Sequence, residues 1–188
     1  MVDASARDYK EVLVEALQMF RCWLDPDVQD FINTKAIDFE KRGWATTYLV
    51  LNEDDFENGK LHIEGYFSLS HKAVLFDDVV SITTRKKISG TKKADIHPFV
   101  LIGQLGKNIT KNEDGTFSYS EISSKDLLDD ALSIIQQSSE FIVNRNIIIE
   151  CKSIEKVQKI YSNYGFVELQ FDGELHTMYL RLDHSIDF

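Results

Sequence analysis

Apolar residues recur at helical spacing over the first forty positions of the chain. The first such stretch, Asp8 to Trp23, predicts an amphipathic helix with one buried face. Its apolar positions are Val12, Ala16, Met19, Phe20 and Trp23. Asp25 then predicts an N-cap and Pro26 the first position of a second helix, Val28 to Lys41, which ends at Gly43. The chain therefore opens with two helices that each bury one face.

Runs rich in β-branched and aromatic residues follow these helices. Thr46 to Asn52 predicts a strand, and the Asn58-Gly59 pair predicts a tight hairpin into a long second strand, Leu61 to Phe76. Residues 77–95 indicate a surface excursion with room for one short helix. Phe99 to Leu105 predicts a third strand, in which Gly103 and the following Gly106 favour a bulge or a close backbone approach.

A loop and a long helix come next. Residues 109–115 predict a loop that turns at Asp114-Gly115. Ser123 or Ser124 then caps a helix with one apolar face. The apolar positions of that helix are Leu127, Leu128, Ala131, Leu132, Ile135 and Phe141.

The last third of the chain predicts a strand, a helix and a hairpin. Ile147 to Ile149 is short and β-branched, as in a buried strand, and Ser153 is placed to cap the helix that follows. Gly165 predicts a left-handed cap at the end of that helix. Val167 to Leu182 predicts a hairpin that turns at Asp172-Gly173. The order of all these elements predicts a mixed sheet covered by helices, on the border between the α/β and α+β classes.

Length and composition agree with one folded domain. The 188 residues, 43% hydrophobic, are enough for a single domain over residues 1–188 with a sizeable core. The sequence contains no apolar run of 18 residues and no apolar centre of a signal peptide near its start, so we expect no contact with a membrane. Cys22 and Cys151 lie far apart without the spacing of metal ligands, which indicates a reducing, cytoplasmic location and no metal.

The balance of charge bears on the choice of partner. The formal net charge is −10, which disfavours binding to nucleic acid at long range. The stretch RKKISGTKK is a local exception, with Arg85, Lys86, Lys87, Lys92 and Lys93. It has two interpretations, a solvated loop or a patch that binds phosphate on a cofactor or a substrate.

Three short motifs, in order along the chain, resemble the GNAT acyltransferases. Asn146 to Phe166 combines a strand, a helix and a Tyr-x-x-x-Gly-Phe ending, like the last βα unit of that family. Arg42-Gly43 before Thr47-Tyr48, and the run from Gly65 to Leu69, resemble the subgroup that includes the acetyltransferase toxins of bacterial toxin–antitoxin pairs. The likeness extends from about Phe31 to Leu182, and the order of the motifs is more specific than any one of them.

The resemblance implies a fold, a co-substrate and a reaction. The fold is a mostly antiparallel mixed sheet with one splayed pair of parallel strands, and the third strand would belong to that pair. The co-substrate is acetyl-CoA, and the acetyl group passes to a primary amine of a small molecule or a protein. A backbone amide near Leu105, Gly106 or Lys107 would stabilise the oxyanion. Tyr161 would protonate the departing thiolate, and the alternative for Tyr161 is a packed core residue.

The family's pyrophosphate-binding loop is altered in this chain. The positions of its conserved Gln/Arg and two glycines are occupied by Tyr119, Ile122 and Ser124. Amides, serine hydroxyls and a lysine can still bind phosphate there, although weak or lost cofactor binding is equally consistent with the change. The residues expected to bind the cofactor are Leu105, Gly106, Lys107, Ser120, Ile122, Ser123, Ser124, Lys125 and Ser153.

Several points stay open at this stage. The general base is Glu64, His71, His97 or water, and no motif decides among them. Three functions compete: an N-acetyltransferase for a small-molecule or protein amine, a toxin-like enzyme acting on aminoacyl-tRNA, and a non-catalytic binding module with the same fold. The charge opposes tRNA without excluding it. A homodimer is one of the oligomeric states that the sequence permits.

Overall fold

The structure is a computed structural model that describes residues 9–139 and 145–182. The α-helices of this part of the chain are α1 Tyr9–Met19, α2 Pro26–Asp30, α3 Ala36–Lys41, α4 Glu53–Glu57, α5 Ile82–Ser89, α6 Ser124–Ser138 and α7 Glu155–Asn163. Its strands are β1 Thr46–Leu51, β2 Ile63–Leu75, β3 Ile96–Lys107, β4 Ile109–Lys111, β5 Phe117–Tyr119, β6 Asn146–Lys152, β7 Val167–Phe171 and β8 Leu175–Arg181. A π-helical turn, Phe31–Lys35, joins α2 to α3. The predicted positions Asp8 and Phe141 lie outside the described residues.

Six of the strands form one mixed sheet. Its order is β1-β2-β3-β6-β8-β7, in which β3 and β6 are parallel and the other neighbours are antiparallel. Strands β4 and β5 form a separate antiparallel pair. The mixed sheet flanked by helices confirms the predicted fold class.

The chain divides into two compact units. The first comprises Met1–Ser68 and Gln104–Asp129, and the second Leu69–Gly103 and Asp130–Phe188. The division therefore falls within β2, within β3 and within α6. The single domain over residues 1–188 stays a prediction. Within the described residues, no helix is both long enough and apolar enough to span a bilayer.

Aromatic rings pack in the core of the first unit. Tyr66 is completely buried between Phe20, in edge contact at 5.3 Å, and Phe31, stacked at 6.3 Å. Its hydroxyl donates to the carbonyl oxygen of Val28 at 2.6 Å, which satisfies the only polar atom of the side chain. Burial raises the pKa of Tyr66. Aromatic residues of the first and second predicted helices and of β2 thus contribute to this core.

The first predicted helix is shorter than its apolar pattern suggests. It ends at Met19, which is 73% exposed, and the extension to Trp23 is wrong. The chain from Arg21 to Trp23 instead pairs with Ile109, whose amide donates to Arg21 and whose carbonyl accepts from Trp23. Cys22 is buried through this pairing. Pairing with a segment distant in sequence therefore replaces the predicted last turn of the helix.

The Asn58-Gly59 pair ends a helix and does not form the predicted tight hairpin. Asn52 caps α4 by accepting from the amide of Asp55, and three acidic residues occupy the first turn, where the helix dipole favours them. Gly59 follows with a φ of 76°. The predicted loop at residues 109–115 also differs, because Ile109–Lys111 pairs with Phe117–Tyr119 as a short hairpin.

The second unit has its own apolar cluster. It comprises Val74, Phe76, Val80, Ile88, Phe99, Ile148, Leu169 and Tyr179. Helix α5 supplies Ile88 to this cluster and is the short helix expected in residues 77–95. The predicted closing hairpin is also present, with the carboxylate of Asp172 accepting from the amides of Glu174 and Leu175 at the turn. Cys22 and Cys151 both carry free, buried thiols.

Candidate functional site

The end of β3 approaches the helical layer of the first unit closely. A Cβ on Gly106 would lie 2.3 Å from Cγ1 of Val28, so only glycine fits at this position. Leu105 and Lys107 are half-buried on either side. The ammonium group of Lys107 lies 5.2 Å from the centre of the Tyr119 ring. The close approach predicted for this strand is therefore present at Gly106.

Loop 120–125 follows β5 and leads into α6. Three of its backbone amides have acceptors within the first unit: Ser120 donates to the carbonyl of Asn108, Glu121 to the carboxylate of Glu64, and Ser123 to the carboxylate of Asp126. These three amides are occupied in this structure, unlike the open amides of a glycine-rich phosphate loop. The loop is held by its own protein contacts.

Three other donors of loop 120–125 remain available. The hydroxyl oxygen of Ser120 is buried and has no hydrogen-bond partner among the described residues. The amides of Ile122 and Ser124 likewise have no protein acceptor within residues 9–139 and 145–182. A buried hydroxyl without a partner, in the same loop as two amides without acceptors, suits an anionic ligand with several oxygen atoms. The loop therefore fits a phosphate group, with fewer amides than a glycine-rich loop would offer.

A reciprocal cap fixes the start of α6. The amide of Ser123 donates to Asp126, and the amide of Asp126 donates to the Ser123 hydroxyl at 3.1 Å. The Ser123 hydroxyl and amide, helped by the charge of Lys125, hold the pKa of Asp126 below its usual value. The Lys125 ammonium itself lies 3.1 Å from Asp129. Ser123 is thus the N-cap of this helix, one of the two positions that the sequence allowed.

The Glu64 carboxylate links separate segments of the first unit by hydrogen bonds. Its side chain is buried, and its two oxygens accept from the Asn52 side-chain amide and from the Glu121 backbone amide, both at 3.0 Å. These bonds join loop 120–125 to β2. The role of Glu64 as general base stays a prediction.

The parallel pairing in the second unit is short. It covers Val100 with Ile147, Leu101 with Ile148 and Ile102 with Ile149. Strand β6 continues to Lys152, and among the described residues it pairs beyond Ile149 with β8 alone. Ending a parallel pair while both strands continue is the arrangement expected of a splayed pair.

Tyr161 is half-buried on α7 in the second unit. Its ring centre lies 6.0 Å from that of Phe166, at an angle of 59°. Gly165 has a φ of 87°, and the amide of Phe166 donates back to the carbonyl of Tyr161 at 3.1 Å. This is the predicted left-handed end of the helix. The hydroxyl as general acid stays a prediction.

Ser153 makes a contact that the sequence does not reveal. The N-cap of α7 is Ile154, without a side-chain cap, so the predicted capping by Ser153 is wrong. The Ser153 hydroxyl instead lies 2.8 Å from Nε2 of His176. Nδ1 of the same ring lies 2.9 Å from the Glu168 carboxylate. The pairing of β8 with its neighbours brings these residues together, and only the alternation of the closing hairpin hinted at the pairing.

The other two candidate bases lie elsewhere in the second unit. His71 is exposed on β2. Nε2 of His97 lies 2.9 Å from the side-chain amide nitrogen of Asn146, which donates when the ring is neutral. Burial lowers the pKa of His97. These positions leave the choice of base untested.

The RKKISGTKK cluster divides into an interior arginine and exposed lysines. Arg85 is only 13% exposed and donates to the carbonyls of Val80 and Asp77, with Asp95 as its ion-pair partner. Arg85 therefore holds the two ends of the segment between β2 and β3 together. The exposed lysines are Lys86, Lys87, Lys92 and Lys93. Within this cluster, these four lysines are the residues that present positive charge to a partner.

A cavity of about 470 Å³ lies in the first unit between α1, α3 and β1. Its walls are mainly apolar, with Leu13, Leu17 and Ile37 among them. None of the predicted site residues lines it. Among the described residues, no group of three histidine, cysteine or acidic side chains is placed to hold a metal ion.

Solved structures resemble this one over most of the chain. AtaT complexed with acetyl-methionyl-tRNAfMet is 18% identical, with a TM-score of 0.65 over 88% of this chain and 86% of that chain. AtaTR bound with AcCoA is 18% identical, with a TM-score of 0.63 over 96% of this chain and 90% of that one. A Tyr-to-Phe mutant of KacT is 16% identical, with a TM-score of 0.65 over 88% and 86%. No family model and no curated protein matches the sequence.

At this level of identity the similarity establishes the fold. The chain has the GNAT-like fold of these structures, with one parallel strand pair in a mixed sheet. The resemblance predicted from the short motifs is thereby confirmed.

Proposed function

We propose that this protein is an acetyl-CoA-dependent N-acetyltransferase that acts on a primary amine. The observation that carries the proposal is the likeness to AtaTR bound with AcCoA, which covers 96% of this chain. A fold alone hosts many functions, so the proposal also depends on what particular residues are able to do.

Loop 120–125 supports the binding of acetyl-CoA. A phosphate oxygen of the co-substrate would accept from the buried hydroxyl of Ser120 and from the amides of Ile122 and Ser124. Lys125 would add positive charge, in competition with its bond to Asp129. The carboxylate of Asp126 opposes a phosphate on the Ser123 side. We therefore expect binding through fewer contacts than a glycine-rich loop provides.

The chemistry requires modest help from the protein. The amine attacks the carbonyl carbon of the thioester, and the carbon–sulfur bond breaks with release of CoA. A backbone amide in the segment Leu105 to Lys107 would stabilise the oxyanion, because a fixed amide dipole needs no reorganisation. Tyr161 would donate its phenolic proton to the thiolate, and water or a side chain would take the proton of the amine.

The amino group of an aminoacyl-tRNA is a second candidate acceptor. The observation in its favour is the likeness to AtaT in complex with acetyl-methionyl-tRNAfMet. The exposed lysines 86, 87, 92 and 93 would be the contact for phosphate. The net charge of −10 opposes this candidate, because binding of a polyanion depends on cations at the interface.

Transfer of radiolabelled acetyl from acetyl-CoA tests the proposal. The protein is incubated in parallel with small primary amines, with lysine-containing peptides and with methionyl-tRNA. Label on one of the amine classes supports the proposal and identifies the acceptor. Label on methionyl-tRNA that is lost when the four lysines are changed to serine selects the second candidate. If the protein binds acetyl-CoA and labels none of them above the rate without protein, the catalytic proposal is wrong for these acceptors.

A further inference from the structure

Three side chains of the second unit form a hydrogen-bonded chain. The Ser153 hydroxyl lies 2.8 Å from Nε2 of His176, and Nδ1 of that ring lies 2.9 Å from the Glu168 carboxylate. In the tautomer with the proton on Nδ1, His176 donates to Glu168 and accepts from the serine hydroxyl. A serine, a histidine and an acid linked in this order are the parts of an activated nucleophile.

The local structure holds the imidazole in place. Strand β8 sets His176 opposite Cys151 on β6 and opposite Phe171 on β7. The Phe171 ring stacks on the imidazole with centroids 4.3 Å apart and planes at 22°. The side chain of His176 is 17% exposed, whereas Ser153 is open to solvent. The base is therefore ordered, and the nucleophile remains accessible to a substrate.

Ser153 also lies just before the start of α7 in the sequence. It precedes Ile154, the N-cap of α7, and Ile154 supplies no side-chain cap. The first amides of a helix point out of its N-terminal end and favour negative charge there.

Neighbouring groups do not replace this arrangement. Cys151 is buried, and burial followed by the charge of Glu168 raises the pKa of its thiol, so the thiolate is disfavoured. In the first unit His62 lies 2.9 Å from Asp55, a similar histidine–acid pair. Among the described residues, no serine hydroxyl is hydrogen-bonded to His62. His62 is therefore a matched control for the pair without its nucleophile.

We propose that Ser153, His176 and Glu168 form a hydrolytic site for small activated acyl esters and thioesters. The Ser153 oxygen attacks the acyl carbon while its proton passes to Nε2 of His176. The bond to the leaving group breaks, and His176 returns the proton to the departing alkoxide or thiolate. Water, activated by the same ring, then hydrolyses the acyl-serine to a carboxylic acid and restores the hydroxyl. Glu168 keeps the imidazole in the required tautomer throughout.

Labelling with a fluorophosphonate and hydrolysis of p-nitrophenyl acetate test this site. We expect the fluorophosphonate to label Ser153, identified by peptide mass spectrometry. We expect Ser153→Ala to release p-nitrophenol more slowly than the parent protein. Adding Ser162→Ala to Ser153→Ala should cause no further loss. His176→Gln should slow release by something like the 10²–10⁴ typical of a general base. Glu168→Gln, a change at an exposed position, should give a smaller loss with the melting transition unchanged.

The matched controls are Ser162→Ala, an exposed serine on α7, and His62→Ala. Both should label and turn over like the parent protein. Labelling of Ser153 at the parent rate in His176→Gln would overturn the proposal. Release of p-nitrophenol by folded Ser153→Ala at the parent rate would overturn it as well. Because p-nitrophenyl acetate contains no CoA, failure here is distinct from failure of acetyl-CoA binding.

Discussion

Tyr161 is the residue on which the proposed acetyl-transfer chemistry would depend most. Its position on α7, next to the Phe166 ring, is compatible with both packing and proton donation. The two roles differ in what the hydroxyl contributes, because the ring alone suffices for packing.

We predict that Tyr161→Phe keeps the fold and the affinity for acetyl-CoA but lowers acetyl transfer by something like 10²–10⁴. Single-turnover transfer beside a melting curve measures both effects. Tyr164→Phe, at the C-cap of α7, is the control and should transfer acetyl at the parent rate. Unchanged transfer by Tyr161→Phe with a lower melting temperature would assign Tyr161 to packing.

Gly106 fixes the approach of Val28 to β3. An alanine Cβ would lie 2.3 Å from Cγ1 of Val28, and the β-branched side chain has little freedom to move away. We predict that Gly106→Ala lowers the free energy of unfolding by about 1–3 kcal/mol, as overpacking of a core does. In a Val28→Ala background the same change should cost less, because the conflicting methyl group is gone. Equal costs in the two backgrounds, measured by urea unfolding, would contradict this contact.

At the scale of elements, local signals predicted most ends correctly. The Asp25 cap with Pro26, the left-handed Gly165 and the Asp172 turn depend on residues close in sequence, and each is present as expected. The errors at Asn58-Gly59 and at residues 109–115 are local, because a capped helix and a short hairpin form there. Two further errors come from contacts between distant segments. Pairing with Ile109 ends the first helix early, and the bond to His176 takes Ser153 away from its cap.

The candidate site follows the same division. The sequence predicts loop 120–125 and Tyr161 as site residues through the family resemblance, and both assignments stay predictions. It missed the contact of Ser153 with His176 and Glu168, since the register of β7 against β8 is shifted by an irregularity between Glu168 and Gln170. A pattern of alternation predicts two strands and does not fix which of their residues meet.

The cap of α6 gives a prediction for that element. Ser123→Ala removes the hydroxyl that accepts from the Asp126 amide, and we expect a loss of about 0.5–2 kcal/mol in unfolding free energy. Ser133→Ala, an exposed change within the same helix, is the control and should not destabilise. A Ser123→Ala protein as stable as the parent in urea would show that the reciprocal cap contributes nothing.

The same cap predicts a dependence on pH. The pKa of Asp126 is lowered in the folded protein, so its contribution is present above the unfolded pKa of about 3.8 and is lost as the pH falls through the folded pKa. The difference in urea midpoint between the parent and Asp126→Asn should therefore be constant from pH 5 to 7 and shrink below about pH 3.8. A difference that grows as the pH falls would reverse the assigned sign.

For the whole molecule, the net charge of −10 governs long-range encounters. We predict no salt-sensitive retention of tRNA near physiological ionic strength, because counterion release requires cations against phosphates. Filter binding at about 50 and 200 mM salt measures this. Retention that weakens steeply with salt, and disappears when Lys86, Lys87, Lys92 and Lys93 are neutralised, would contradict the prediction and favour the aminoacyl-tRNA acceptor.

Calorimetric titration with acetyl-CoA tests the central proposal most directly. We predict saturable binding of one acetyl-CoA per chain, accompanied by stabilisation of about 2.7 kcal/mol when the ligand is at 100 times its dissociation constant. Ser120→Ala should weaken binding by roughly 5–10-fold through the loss of one hydrogen bond, whereas Ser118→Ala, an exposed serine on β5, should bind like the parent. The absence of both binding heat and a melting shift at millimolar acetyl-CoA, in protein with a cooperative melting transition, would contradict the proposed acetyltransferase. It would leave a non-catalytic module with this fold.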